Sequence, residues 1–378
     1  MKVMTILGTR PEIIRLSRVI PALDEACEHV LVHTGQSHDR ELSGVFFDEL
    51  GLRAPDHNLE VAAATLGGQL GNILAGAERV LNAERPDALL VLGDTNSALS
   101  AIMAKRLKVP IYHMEAGNRC FDWNVPEETN RRMIDHIADV NLVYTEHARR
   151  NLLAEGLPAR RISLTGSPMR EVLAHYTDRI AASGVLTQLG LEPGRYLVAS
   201  VHREETVDNR DNLAAIGRTL TSLAARFGYP VLVSTHPRTR RRIEAAGDLG
   251  FGEAVSFHPP FGLFDYVHLQ QHAFCTVSDS GTLSEEAAIL GFPAVSVRNA
   301  SERPEGLEAA AVVLAGIETD AVCDAVAWQA DRYRAGRRPR CPDDYLIEDT
   351  SARVAGLILG TARLMHRWVG IDPRGRLT

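Results

Sequence analysis

The 378 residues predict an α/β chain built of two doubly wound parallel-sheet halves, and three observations predict it. The length exceeds what a single hydrophobic core usually serves. Short, β-rich apolar runs alternate with helix-length amphipathic stretches, the rhythm of a parallel sheet wrapped by helices. That rhythm occurs twice, with a glycine- and proline-bearing stretch between the two series.

In the first series VMTIL leads into a helix over 11–26, HVLVH into 38–51, ALLVL into 97–108, PIYHM into 126–138 and NLVYT into 145–156. The N-terminal MKVMTILGTRPE reads as the first of these strands and not as a targeting signal, because the apolar run passes into a Gly-Thr-Arg-Pro turn without a small-residue cleavage site. Residues 166–195, with Gly166, Pro168, Gly184 and Pro193, read as the linker. The second series runs from YLVASVH at 196–202 through YPVLVST, AVSFH, AFCTVS and PAVSVR, and a closing helix occupies 350–368. The expected domains are therefore 1–167 with 350–378, and 168–349. Two such halves facing each other would bring the carboxyl ends of both sheets to one cleft, so functional residues are expected in the loops that follow strands.

Composition narrows the function. Hydrophobic residues make up 45% of the chain and charged residues 24%, and no apolar run approaches the roughly 20 residues that span a bilayer, so a cytoplasmic protein without a membrane segment is expected. Net charge is −7, which argues against nucleic acid as the main partner and makes any anion site local. Five scattered cysteines (Cys27, Cys120, Cys275, Cys323 and Cys341) with no C-x-x-C suggest neither a disulfide framework nor a zinc site. Only Lys2, Lys105 and Lys108 are lysines among 41 basic residues, an imbalance that reads as a GC-rich coding sequence more than as function, although a guanidinium's planar fork suits phosphate wherever one lands in a site.

The strand-end loops carry the chemistry. Gly8-Thr9-Arg10-Pro11-Glu12 opens a helix able to hold an anion, with Arg10 and Arg15 beside it, although a plain strand-to-helix turn would look the same. Gly93-Asp94-Thr95 and Glu115-Ala116-Gly117-Asn118-Arg119 each put a carboxylate at a strand end, where an acid serves as readily as a helix N-cap as it does in catalysis. Pro126-Glu127-Glu128-Thr129-Asn130-Arg131-Arg132 opens the next helix with acids that its dipole favours. The second series adds Val201-His202-Arg203-Glu204-Glu205, Thr235-His236-Pro237-Arg238, Ser278-Asp279-Ser280-Gly281-Thr282 before Glu285 and Glu286, and Ser301-Glu302-Arg303-Pro304-Glu305. The Ser-Asp-Ser-Gly loop offers N–H groups and hydroxyls to a diphosphate or a ribose. Neither G-x-x-x-x-G-K-[ST] nor G-x-G-x-x-G spacing occurs, so an ATP or NAD site has no support. The basic run Arg238 to Arg242 reads as a solvated helix face, and the remaining histidines as packing or surface residues.

Taken in order and at these spacings, GTRPE, GDT, EAGNR, PEETNRR, HREE, HPR, SDSG-T-L-S-E-E and ERPEG resemble the non-hydrolysing UDP-N-acetylglucosamine 2-epimerase family, over roughly residues 1–315. The resemblance implies GT-B architecture with two Rossmann-like domains, a homodimer, a UDP-sugar substrate, and neither metal nor added cofactor. It implies that Asp94, Glu115, Glu127 and His202 are catalytic, without saying which acid is the base. UDP and sugar contacts are implied for Arg10, Arg15, Arg131, His236, Ser280, Gly281, Thr282, Glu286 and Arg303. The implied reaction interconverts UDP-GlcNAc and UDP-ManNAc by eliminating UDP to 2-acetamidoglucal and adding it back.

Three departures bear on the sugar. Arg15 stands where the commonest members carry lysine, Ser280-Gly281-Thr282-Leu283-Ser284 replaces Ser-Gly-Gly-Ile-Gln, and the stretch at 34–39 lacks the Gln-His pair linked with allosteric UDP-GlcNAc binding. The EAGNRCFDWNVPEETNRR stretch looks closer to the branch that converts UDP-2-acetamido-2,6-dideoxy-L-talose to UDP-N-acetyl-L-fucosamine. A GT-B UDP-sugar glycosyltransferase is the alternative of another class.

Overall fold

The computed structural model describes residues 1–36, 46–246 and 251–370, with backbone alone for Glu204 and Glu205. The chain divides into two compact units: Met1–Arg119 with Val125–Val172 and the chain from Ile347 onward, and Cys120–Asn124 with Leu173–Leu346. Most of the helix expected over 38–51, and Ser37, His38 and Asp39, lie outside the described residues.

The first unit holds seven parallel strands: β1 (Lys2–Leu7), β2 (Glu28–His33), β3 (His57–Asn58), β4 (Ala88–Leu92), β5 (Ile111–Met114), β6 (Val140–Val143) and β7 (Ile162–Leu164). Their order in the sheet is β3-β2-β1-β4-β5-β6-β7. From β1 the chain builds outward to β2 and β3, then returns to lay β4 on the other side, Val3 to Ile6 pairing with Ala88 to Val91. The loops after β1 and β4 therefore leave neighbouring strands at the point where the winding reverses, where open α/β sheets place their ligands. All five residues of β4 are buried, as expected of a strand covered on both faces. Met4, Ile6, Leu89, Val91 and Ile111 are fully buried in one core cluster, each burial stabilising by about 1.5–3 kcal/mol.

The second unit holds β8 (Leu197–Ser200), β9 (Val231–Ser234), β10 (Val255–His258), β11 (Cys275–Ser278), β12 (Ala294–Ser296) and β13 (Val312–Leu314). They lie in the order β10-β9-β8-β11-β12-β13, again all parallel and again reversing beside the first strand of the series. The two doubly wound sheets expected from the alternation are both present.

Several elements depart from expectation for physical reasons. The helix expected over 11–26 is two, Arg10–Leu16 and Val19–Ala26. Pro21 has no N–H to give a preceding carbonyl, and the break at Ser17 and Arg18 puts it in a first turn, where none is needed. The stretch from 97 begins as a tight 3₁₀ turn, Asn96–Ser100, before the α-helix Ala101–Arg106. The helix Leu66–Glu84 was hidden by Gly67, Gly68, Gly71 and Gly76, and it starts where the Thr65 hydroxyl accepts the Gly68 N–H at 3.1 Å. Strands β3, β7 and β13 were also unforeseen, being only two or three residues long. The stretch read as a linker is largely helical, with Met169–His175, Thr177–Ala181 and Val185–Leu189. The terminal helix Thr350–Val369 belongs to the first unit, where the hydroxyls of Tyr112 and Thr361 lie 2.6 Å apart. Among the described residues no helix is long and apolar enough to cross a membrane.

Gly8, which follows β1, is buried so tightly that a Cβ built there would lie 2.1 Å from both Ser97 Oγ and Thr34 Oγ1. Those hydroxyls bond each other at 2.7 Å, and Ser97 also donates to Gln36 Oε1, so neither is free to withdraw. Gly8→Ala should destabilise the first unit by about 1–3 kcal/mol, the usual effect of overpacking. Urea unfolding would show it as a lower midpoint at unchanged slope.

Candidate functional site

In the first unit, the loops after β1, β4 and β5 converge on arginines from two helices. Arg15, on Arg10–Leu16, forms an ion pair with Glu115. Arg131, on Pro126–Ile137, pairs with Asp94, reaches Glu115 Oε1 at 3.2 Å and donates to the Glu115 carbonyl. Glu115, Arg15 and Arg131 are all buried. Four of the expected residues therefore form one cluster, two carboxylates against two guanidiniums. Asp94 does not cap the turn that follows it: Thr95 occupies that position and the Asp94 carboxylate goes to Arg131. Glu115 has φ +63°, a left-handed conformation that strains a residue with a side chain and often marks a functional position. Glu127 lies four residues before Arg131 on the same helix, hence on the same face, and is half-buried. Arg10 is elsewhere, stacked over the Phe46 ring at 4.3 Å.

Beneath this cluster lies a network that the motifs did not reveal. Asp135, fully buried, accepts from Arg119 Nη1 at 2.7 Å and from the Gly117 N–H, and His113 Nδ1 lies 2.9 Å from it without an aligned hydrogen bond. The other His113 nitrogen donates to the Gly93 carbonyl at 2.7 Å. Arg119 also makes a two-pronged pair with Glu155, at 2.8 and 2.7 Å. Burial opposes ionisation of Asp135, but His113 and Arg119 outweigh it and hold its carboxyl below the usual range. Gly117, at φ +80°, could carry no Cβ, which would meet the Ala148 carbonyl at 2.4 Å.

Glu12 was also missed as a participant. Its Oε2 accepts the Gly8 N–H at 3.0 Å and the Thr9 hydroxyl at 2.7 Å, while Oε1 accepts the Thr95 hydroxyl at 3.1 Å. It thus ties the β1 loop to the residue after Asp94. The Thr9-x-x-Glu12 spacing of a capping box was the available signal. Burial pushes the Glu12 carboxyl up to about 7.

In the second unit, His202 follows β8 and its Nδ1 lies 2.9 Å from Asp279 Oδ1. The His236 ring is 6.1 Å from that of His202, and its Nδ1 accepts the Arg238 N–H. Ser280 and Thr282 share a hydroxyl contact at 2.9 Å before the helix Thr282–Leu290. A Cβ on Gly281 would fall 2.5 Å from Glu302 Oε1, which places that carboxylate, with Arg203 at 3.1 Å and Arg298 at 2.7 Å, against the Ser-Asp-Ser-Gly loop. Glu286 is buried and accepts from Gln270 at 2.9 Å. Arg303 is buried with Glu285 at 3.4 Å; burial opposes its charge, but the surrounding acids keep it protonated. The arginine run at 238–242 is surface, as expected, Arg238 and Arg242 both pairing with Asp208. Among the described residues no group of three His, Cys, Asp or Glu is arranged to hold a metal.

The family model described as UDP-N-acetylglucosamine 2-epimerase matches residues 22–359. A solved UDP-N-acetylglucosamine 2-epimerase from Rickettsia bellii superposes with a TM-score of 0.91 at 43% identity, covering 98% of this chain and 99% of that one. A Methanocaldococcus jannaschii UDP-GlcNAc 2-epimerase, solved with UDP-GlcNAc and UDP, superposes with a TM-score of 0.89 at 32% identity, covering 95% and 100%. A Pseudomonas aeruginosa relative named UDP-2,3-diacetamido-2,3-dideoxy-D-glucuronate 2-epimerase is 35% identical over 330 residues, 86% of this chain and 91% of its own.

The raised Glu12 carboxyl has a consequence for stability. The folded chain holds a proton that the unfolded chain releases near 4.5, so stability falls as pH climbs from there to about 7. Glu12→Gln should remove a slope on the order of 3 kcal/mol across that window. Denaturant unfolding of both proteins at pH 5 and pH 8 would measure it, and equal pH dependence in the two would refute the assignment.

Proposed function

The chain belongs to the UDP-N-acetylglucosamine 2-epimerase family, a family of isomerases, and from that premise we propose that it inverts carbon 2 of a UDP-linked 2-acetamido sugar without hydrolysing it. The substrate pair in this reading is UDP-GlcNAc and UDP-ManNAc, handled by a cytoplasmic homodimer. The observation that carries it is the gathering of Asp94 and Glu115 on Arg131 and Arg15 at the strand ends of the first unit.

The chemistry explains why several acids are wanted. The hydrogen on C2 is not adjacent to a carbonyl, so it is barely acidic and its removal must be linked with departure of UDP from C1. A base takes the C2 proton, the C–H electrons form the C1–C2 double bond, and the C1–O bond breaks to give 2-acetamidoglucal and UDP. Re-addition of UDP at C1 delivers a proton to the opposite face of C2, so proton carriers are needed on both faces. Asp94, Glu115, Glu127 and His202 are proposed for these transfers, and each such group typically contributes about 10²–10⁴-fold. Arg10, Arg15, Arg131 and Arg303 would offset the charge of the departing diphosphate. His236, Ser280, Gly281, Thr282 and Glu286 are proposed to hold the nucleotide and sugar.

One observation favours a second sugar within the same reaction. The Pseudomonas relative, named for a diacetamido-glucuronate, is as similar to this chain as the Methanocaldococcus one, named for UDP-GlcNAc. The 6-deoxy-talose sugar belongs in the same test because of the 115–132 stretch.

Incubation with each of the three UDP-sugars in D₂O, followed by NMR, separates these readings. Deuterium at C2 of an intact UDP-sugar is expected, fastest for the true substrate. Release of free sugar, or no exchange with any of the three, would overturn the epimerase reading. Glu115→Gln should slow the exchange by about 10²-fold or more.

A further inference from the structure

Asp279, just past the end of β11, gathers more donors than any turn in its neighbourhood requires. It is fully buried. Oδ1 lies 2.9 Å from His202 Nδ1, and Oδ2 accepts the backbone N–H groups of both His202 and Arg203 at 2.9 Å. Its own N–H donates to the Ser200 carbonyl at 3.2 Å, and its carbonyl accepts Arg203 Nε at 3.1 Å. One residue just past β11 thus grips the turn that follows the adjacent strand β8.

We propose that Asp279 is a positioning residue for the epimerisation, holding the His202 ring with its proton on Nδ1 so that Nε2 is the ring atom offered to substrate. The proposal rests on the reading above, in which His202 takes part in the reaction.

The tautomer follows from acceptor chemistry. Asp279 Oδ1 has no aligned hydrogen-bond partner, and a bare nitrogen lone pair 2.9 Å from an ionised carboxylate oxygen would be repelled by it, so the ring hydrogen is favoured on Nδ1. Burial opposes the Asp279 charge, but His202 and the two backbone donors outweigh it and hold the carboxyl below its usual range. With the hydrogen on Nδ1, Nε2 is the ring atom left to carry a lone pair whenever the ring is neutral. The His202 side chain is 38% exposed while Asp279 is not exposed at all, so the ring is anchored on its inner edge and open on its outer one. A rival account makes Asp279 only a brace for the backbone at 201–203. In that case the ring would be held no differently by an uncharged acceptor.

Asp279→Asn in the full chain separates the two accounts. The amide oxygen can keep both backbone donors, while its NH₂ group faces Nδ1 and can pair only if the imidazole proton moves to Nε2. Ring ¹⁵N spectra, with His202 assigned by its loss in His202→Gln, should therefore show Nδ1–H in the wild type and Nε2–H in the variant. Turnover should fall by about 10²–10⁴-fold, the range for one acid–base group, with KM little changed. The same substitution added to His202→Gln should cost no further turnover, because Asp279 acts through the ring. An Nε2–H ring in the wild type, an unmoved tautomer in the variant, or additive losses would each overturn the proposal. The wild-type ring spectrum needs neither substrate nor a folded variant. A wild type inactive on all three sugars, yet showing the tautomer exchange, would sink the functional reading while leaving the anchoring of the ring in place.

Discussion

Much of the first unit hangs on one buried carboxylate. Asp135 joins His113 of β5, the N–H of Gly117 and the guanidinium of Arg119, and through His113 it reaches the Gly93 carbonyl. The loops bearing Asp94 and Glu115 are thereby referred to a common point on the helix Pro126–Ile137 that also bears Arg131. Removing charge from water is costly, and a buried ion network stabilises only when nearly every lone pair and proton is used. Here the network's cost is set against placement. Asp94 and Glu115 meet the same arginine because both strand-end loops are held from below.

The second unit solves the same problem with the same kind of part, a buried aspartate. Asp279 sits at a strand end and holds the neighbouring strand's turn by two backbone N–H groups and one imidazole. Glu302 repeats the device on its own scale, bridging Arg203 and Arg298 against the loop at Gly281. In the second unit a residue that meets no solvent, Asp279, thus lies against one that does, His202. Precision in a polar site comes from such supporting contacts, because a long exposed side chain otherwise samples several rotamers.

What the sequence disclosed and what it hid follow from range. Periodicity made ten of the strands and the doubly wound halves legible, since alternation of apolar runs is local information. It could not show β3, β7 and β13, whose two or three residues carry no period, nor the glycine-laden helix Leu66–Glu84, where packing overrides propensity. In the sites, the loop-top residues were visible because strand ends are where ligands sit. His113 and Asp135 were not, since one lies inside an apolar strand and the other late in a charged helix, and their meaning exists only once the chain is folded. Asp279 and Glu12 stood within quoted motifs, yet nothing in a linear string says which side chain of a motif faces inward.

The arginine-rich composition takes on a specific sense at Arg15. The ammonium of a lysine at this position could meet Glu115 as a point charge and nothing more. The guanidinium that is present pairs with Glu115 and also stands over the Tyr144 ring, 5.7 Å from its centre, while remaining almost wholly buried. A planar cation of this kind is less strongly hydrated than ammonium, so its burial costs less, and the aromatic face limits its rotation. Glu115 is thus held by two forks from different helices, on a backbone already strained into the left-handed region. Strain of that sort persists only where the surroundings over-determine the residue, and the two arginines supply that constraint. An arginine here, compared with a lysine of the same charge, therefore bears on how firmly the acid is set.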